Sequence, residues 1–302
     1  MNPIWGIDLG GTKIEGIIVD AASKYTPITR LRVPTEQVHG YAHILSQIAH
    51  LVDLMKAESG LRPLSIGIGT PGAIDPQSRY LKNSNTRPLL GKPLKKDLEA
   101  LLGLPLTMAN DANCFALAEA RLGIVAEKYP DAKVVFGVIL GTGVGGGIVV
   151  NGQVLNGLQG IGGEWGHNFL DESGGLCYCG RVGCVETILS GPFLQKHYTS
   201  LSGEERKLQD IIGRAHAGTD EHATATLDRL IHFFGKGLGG IINILDPDAI
   251  VIGGGVGNIP DLYTKGAEEV EKYVFNQKMH TPILKPKLGD SAGVFGAAML
   301  VE

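Results

Sequence analysis

Two stretches of the chain can be laid over one another: Ile4–Val19 (IWGIDLGGTKIEGIIV) and Val135–Val150 (VFGVILGTGVGGGIVV). Gly6, Leu9, Gly10, Gly16, Ile17 and Val19 fall on Gly137, Leu140, Gly141, Gly147, Ile148 and Val150. Each stretch reads as an apolar strand, a glycine turn and a second apolar strand. A chain that opens two regions with the same hairpin is expected to hold two related domains, so we place a first domain at 1–112 and a second at 113–289. A C-terminal helix at about 290–302 is expected to pack back on the first. The segments between the hairpins support an α/β fold. Tyr41, Ile44, Leu45, Ile48, Leu51, Val52 and Met55 follow helical spacing and predict an amphipathic helix over 40–58. Leu227, Leu230, Ile231, Phe234, Leu238, Ile241, Ile242 and Leu245 predict another over about 223–245. Leu64–Gly69 and Pro105–Ala109 read as further strands, and Ala249–Ile252 as a short buried one.

Glycine supplies 44 of the 302 residues, about twice its usual share. The glycines cluster beside apolar strands, where backbone must turn tightly or approach a ligand. In the first turn, Gly10 and Gly11 let backbone N–H groups face phosphate oxygens, Thr12 adds a hydroxyl and Lys13 adds charge. Asp8, at the end of the first strand, suits Mg²⁺, a hard cation that prefers oxygen ligands. The second turn, Gly141-Thr142-Gly143-Val144-Gly145-Gly146-Gly147, has six glycines or threonines in seven positions. Packing gives no reason for so many, and approach to a second phosphate does. No Walker loop is present, and the residues after Gly146 continue as strand rather than helix, which argues against a dinucleotide fingerprint. Gly253-Gly254-Gly255 follows a buried strand and offers a third backbone platform, suited to the adenosine and α-phosphate side.

Asn110-Asp111-Ala112-Asn113 sits between a predicted strand and a run of small apolar residues. Helix capping accounts for one of the two leading polar residues. A carboxylate at this place, in a chain with two phosphate turns, suits a general base for an attacking hydroxyl. Farther on, His167 with Cys177, Cys179 and Cys184 has the donor set of a closed, tetrahedral structural zinc site, with tight turns at Gly180 and Gly183. Cys114 lies in the apolar run and reads as a small buried residue. Asn110, Asp111, Glu164, His167 and Glu186 are the residue types that hydrogen-bond a ring of sugar hydroxyls.

The ordered set Asp8–Lys13, Gly69–Gly72, Asn110–Asn113, Leu140–Gly147, Gly163–His167, Cys177–Cys184 and Gly253–Gly255 resembles the ROK family (repressors, open reading frames, kinases) over nearly the whole chain. The resemblance implies two ribonuclease-H-like domains of the actin and hexokinase type with a cleft between them. It implies ATP with Mg²⁺ at the turns 8–13 and 140–147, and Asp111 as catalytic base. It further implies a hexose held by Gly72, Asn85, Asn110, Asp111, Glu164, His167 and Glu186, with the zinc histidine facing the sugar. Among kinases of the family, Asn83-Ser84-Asn85, Glu164–Asn168 and Cys177-Tyr178-Cys179 look most similar to the bacterial fructokinase/mannokinase type, which makes fructose the first expectation. N-acetylglucosamine kinases, which share the 110–115 and 140–147 runs, come second. The family's repressors carry an N-terminal winged helix, for which a phosphate turn starting at Asp8 leaves no room. The net charge of −4 argues against nucleic acid as a partner. No apolar run is long enough for a membrane span, and the first residues show no secretory signal. A cytoplasmic homodimer is expected.

Overall fold

The computed structural model describes residues 2–302, which form two compact units. Residues 2–128, 147–162 and 287–302 make the first and residues 129–146 and 163–286 the second.

The first unit opens with β1 (Pro3–Leu9), β2 (Lys13–Asp20) and β3 (Thr26–Pro34), an antiparallel meander with Ile4 opposite Val19 and Ile14 opposite Val33. α1 (Tyr41–Ser59) follows, then β4 (Ile66–Thr70), the small hairpin β5 (Ala73–Ile74) and β6 (Leu81–Lys82), α2 (Leu94–Leu102) and β7 (Leu106–Asn110). The sheet order is β3-β2-β1-β4-β7, and β4 is parallel to both β1 and β7. α1 packs on β2 and β3 and buries Ile44, Ile48, Leu51, Val52 and Met55, the face that helical spacing predicted, in one core with Trp5, Ile7 and Leu9. It stops at Gly60, a left-handed cap (φ 71°) whose N–H bonds the Lys56 carbonyl, as such a cap must to satisfy a terminal acceptor.

α3 (Asp111–Arg121) and α4 (Ile124–Lys128) complete the unbroken part of this unit. The division thus comes at Lys128, beyond the 112 position read from sequence, and α3 stays with the strand it follows. The C-terminal α10 (Ala292–Met299) lies across β1 and β4. Two glycines permit this: a Cβ on Gly67 would stand 1.8 Å from the Ala297 carbonyl oxygen, and one on Gly6 would stand 2.4 Å from the Ala298 nitrogen. Buried Glu119 ties the same end of the chain, accepting from the N–H groups of Ile124, Lys287 and Leu288.

The second sheet has the order β10-β9-β8-β11-β12, made of β8 (Val134–Leu140), β9 (Val144–Val150), β10 (Gln153–Val154), β11 (Ala249–Gly253) and β12 (Ile283–Leu284). Most of β9 and all of β10 fall in the first unit, while the helices α5 (Glu186–Leu189), α6 (Gly191–Ser202), α7 (Leu208–Ala217), α8 (Glu221–Leu245) and α9 (Lys265–Glu271) belong to the second. α8 begins where the Asp220 carboxylate accepts from the N–H groups of His222 and Ala223, and it buries Leu227, Leu230, Phe234, Leu238 and Ile242.

Among the described residues no helix is long and apolar enough to cross a membrane.

Candidate active site

Parallel strands deliver their carboxyl ends to one edge of a sheet, where α/β proteins place ligands. In the first unit the register pairs Asp8 with Gly69 and Thr70 with Asn110. The ends of β1, β4 and β7 therefore bring together Asp8, the Gly69–Gly72 turn and the Asn110–Asp111 start of α3. Asn110 is the N-cap: its Oδ1 accepts from the Asn113 N–H at 2.8 Å. That bond commits the oxygen and leaves the amide NH₂ as the group available to a ligand. Asp111, the first residue of α3, accepts from the Ala112 N–H at 2.8 Å. Its side chain keeps access to water, but protein crowds it closely enough that desolvation raises its carboxyl above the ordinary range, against the pull of backbone hydrogen bonds. Asp8 is pushed up to about 6, first by desolvation and then by the negative charges of Asp111 and Glu15, with Lys13 opposing. Desolvation first, and then the charges of Asp8 and Asp111, help hold the buried Cys114 thiol protonated. Cys114 is the small buried residue that its surroundings in the sequence suggested.

The turn between β1 and β2 is closed by the Gly10 N–H on the Lys13 carbonyl at 3.0 Å. Buried Thr35 braces it, its hydroxyl donating to the Gly10 carbonyl at 2.7 Å. Among the described residues the N–H groups of Gly11 and Thr12 have no protein acceptor, so they are the donors this turn can offer an anion. Lys13, read from sequence as a phosphate charge, has its ammonium 3.5 Å from Glu15. Glu15 is 1% exposed and also binds Arg30 and Arg32. Sequence reading missed this cluster, although an acid at a buried strand position is itself a signal that cations must stand nearby. Gly72 (φ 149°) packs against the Lys82 carbonyl and Ser84, and Asn85 is exposed on the same connection.

In the second unit the ends of β8 and β11 carry the turn Gly141–Gly143 and the pair Gly254–Gly255. The N–H groups of Thr142 and Gly143 have no protein acceptor among the described residues. Glu186, the first residue of α5, reaches this turn and accepts from the Val144 N–H at 3.0 Å. Gly254 adopts φ 86°, and a side chain there would run into the Leu140 carbonyl 2.2 Å away. Gly255 has open space beside it.

Residues 163–184 form a loop around His167, Cys177, Cys179 and Cys184, whose ligand atoms all lie within 4.8 Å of one another. The Cys177 Sγ to His167 Nδ1 and Cys179 Sγ to Cys184 Sγ separations are both 3.6 Å. A tetrahedron with Zn–S bonds near 2.3 Å has edges of about 3.7 Å, so the four atoms are spaced to hold that ion. Desolvation and the neighbouring thiols push Cys184 up to about 12, a tension that a bound divalent cation relieves. Gly180 (φ 86°) and Gly183 (φ 76°) make the turns that aim the cysteines inward. Glu164 precedes the short helical turn that carries His167. His167 Nε2 lies 2.9 Å from the hydroxyl of Tyr178, which sequence reading noted only within the 177–179 run and not as a site residue; a metal on Nδ1 would make Nε2 the donor.

A model of one family, the ROK family, matches residues 4–302. The chain belongs to the ROK family. Among ROK family relatives, an N-acetyl-D-glucosamine kinase of Aliivibrio fischeri is 36% identical over 306 residues, which is 98% of each chain. The ROK hexokinase of Thermus thermophilus superposes with a TM-score of 0.88 at 31% identity, covering 99% of this chain and 97% of its own. A ROK family glucokinase of Streptomyces griseus, solved with glucose and AMPPNP, gives 0.76 at 28% identity with 99% and 98% covered. The α/β architecture of two sheet-centred units is the one these ROK family enzymes share.

Proposed function

We propose that this chain phosphorylates N-acetyl-D-glucosamine with ATP. It is an ATP-dependent sugar kinase; its preferred sugar is the further step. The observation that carries the choice is the 36% identity to an N-acetyl-D-glucosamine kinase across 98% of both chains. This moves the reading away from fructose, which the 83–85 and 177–179 segments had favoured. Those short segments weigh less than a match along the whole length.

The proposed chemistry follows from the residues at the strand ends. A sugar hydroxyl attacks the γ-phosphorus, the new O–P bond forms as the bond to the β-phosphate oxygen breaks, and the hydroxyl proton passes to the Asp111 carboxylate. Raising that carboxyl toward neutrality makes it a better proton acceptor at working pH. Positioning and charge supply most of the rate in phosphoryl transfer. The free N–H groups of Gly11, Thr12, Thr142 and Gly143 are suited to phosphate oxygens, with Gly254 and Gly255 toward the nucleoside. Asn110 offers its NH₂ to the sugar, and Glu164, His167 and Glu186 its further contacts. Mg²⁺ bound with ATP would neutralise phosphate charge; Asp8, raised first by desolvation and then by Asp111 and Glu15, is the carboxylate of this turn that a cation would stabilise. Zn²⁺ held by His167, Cys177, Cys179 and Cys184 would order the loop, with no open position for water.

The test is ADP release from Mg-ATP against a panel of hexoses and N-acetylhexosamines. N-acetylglucosamine should give the highest kcat/KM, about tenfold or more above fructose, a gap of roughly 1.4 kcal/mol. Fructose or glucose at or above it would overturn the assignment.

A further inference from the structure

A second cavity in the second unit has no part in the chemistry above. Its volume is about 210 Å³, the liquid volume of about seven waters. α6 lines it with Phe193, Lys196, His197 and Ser200, four residues at helical spacing along one face. Arg229 of α8 and Ser173 of the 172–174 turn close the other sides.

Three cationic or protonatable side chains thus face one space, and no carboxylate lines it. Arg229 is held rather than loose. Its Nη2 donates to the Ser173 hydroxyl at 2.9 Å, and its guanidinium lies 4.7 Å from the centre of the Phe233 ring. The acid that acts on Arg229, Asp171, is shared with Lys236 at 3.4 Å and accepts from the Ser173 N–H. Among the described residues Lys196 and His197 make no ion pair, and the Lys196 ammonium lies over the Phe193 ring, 5.9 Å from its centre. Burial lowers both His197 and Arg229, and Arg229 lowers His197 further. Arg229 thus shares its one acid, Asp171, with Lys236, and Lys196 has no acid of its own, so the positive charge at this cavity is only partly countered and an anion would complete it. The donors match one chemistry: a planar guanidinium, an ammonium, an imidazole and two hydroxyls converge as they do on phosphate oxygens.

We propose that this cavity is a binding site for a phosphate-type oxyanion, either inorganic phosphate or the phosphoryl group of a sugar monoester. A monoester carries close to two negative charges at neutral pH and three acceptor oxygens, enough to engage Arg229, Lys196 and Ser200 together. The occupant would touch Ser173, four residues before the zinc-site residue Cys177, and Thr187, the neighbour of Glu186.

Calorimetric titration of the full chain tests this, with AMPPNP, Mg²⁺ and N-acetylglucosamine saturating so that the phosphate turns are filled. Inorganic phosphate and N-acetylglucosamine 6-phosphate are titrated separately, and the tighter of the two identifies the source. One equivalent should bind, and Arg229→Gln and Lys196→Gln should each weaken it about tenfold or more, the loss expected for one charge-assisted hydrogen bond. Lys196 is exposed, so its variant keeps the test valid if Arg229→Gln folds poorly. No heat from either anion up to about 20 mM, a range that covers weak millimolar sites, or unchanged affinity in Lys196→Gln, would overturn the proposal.

Discussion

The hairpins β1–β2 and β8–β9 share their spacing: Pro3, Leu9 and Lys13 correspond to Val134, Leu140 and Val144. Each precedes two parallel strands in a sheet of matching order. Their turns nevertheless carry different chemistry. The first is set among charges: Asp8 raised to about 6, Asp111 beyond it, and Lys13 drawn to a buried Glu15 that also holds Arg30 and Arg32. The second has no ionisable residue of its own, and one carboxylate, Glu186, reaches it from outside. One backbone device thus serves two tasks. The first turn can place a cation and a proton acceptor, while the second can present bare N–H groups.

Removing the proposed proton acceptor should have the largest effect. Asp111→Asn keeps the first position of α3 and can still accept the Ala112 N–H, so the fold and sugar binding should persist. kcat should fall by about 10²–10⁴, the range for loss of a general base. Retention of more than about half of wild-type kcat would assign the proton to another group and leave the two turns chemically alike.

Asp8 tests the charged character of the first turn from the stability side. In metal-free protein its carboxyl titrates near 6 against an ordinary 3.8. Between those values the folded state holds a proton that the unfolded chain has released. Stability therefore falls as pH rises through this window, and at pH 7 the ionised group costs on the order of 3 kcal/mol at most. Asp8→Asn should raise the denaturation midpoint of metal-free protein at pH 7, flatten its dependence between pH 4 and 6, and lose activity. A midpoint that falls at pH 7, with the slope unchanged, would remove Asp8 as a strained acid.

The features legible in the sequence are those in which local pattern and final environment agree. The hairpins show because their strands are mostly apolar, α1 and α8 because one face is apolar at helical spacing, and the grouping of His167 with three cysteines because they lie in a short segment. Features made by distant partners stay hidden. Glu15 reads as an interruption of a strand until the register sets Arg32 opposite it and Arg30 within reach. The grouping of residues 287–302 with the first unit depends on Gly6 and Gly67, whose role appears only when α10 lies on them. α6 buries only Gly191, Leu194 and Tyr198 of its twelve residues, too sparse a pattern to stand out. At Asn110 capping and ligand readings both apply, because capping uses the oxygen and leaves the nitrogen.

The metal loop offers the next effect. Cys179→Ser removes one corner of the His167, Cys177, Cys179, Cys184 set. Elemental analysis should show about one zinc per chain in wild type and its loss in the variant. The sugar KM should rise by about 10–100-fold, comparable with other disruptions of metal-site surroundings. Nucleotide affinity should change little, because the free N–H groups of the 141–143 turn are not carried by that loop. An active wild-type enzyme without stoichiometric metal would return the cysteines to three reduced thiols.

The smallest effect separates the turns most directly. A Cβ on Gly10 would stand 2.9 Å from the Lys13 carbonyl oxygen, whereas one on Gly143 would stand 2.6 Å from Glu186 Oε2. The first obstacle is backbone, and the Gly10 N–H is bonded to that same carbonyl. The turn must open, so Gly10→Ala should lower stability by about 1–3 kcal/mol, as overpacking does. The second obstacle is the end of a flexible side chain. Glu186 can swing away and give up the Val144 N–H, a charge-assisted bond worth about 1.5 kcal/mol or more. Gly143→Ala should therefore leave the denaturation midpoint within a few degrees of wild type while raising the sugar KM up to about tenfold. Glu186→Gln, which keeps an acceptor for Val144, should combine with it less than additively if both act through the same bond. If Gly143→Ala instead unfolds the protein as Gly10→Ala does, with sugar KM unchanged, then Glu186 braces the second turn as Thr35 braces the first, and the chemical contrast between the turns is lost.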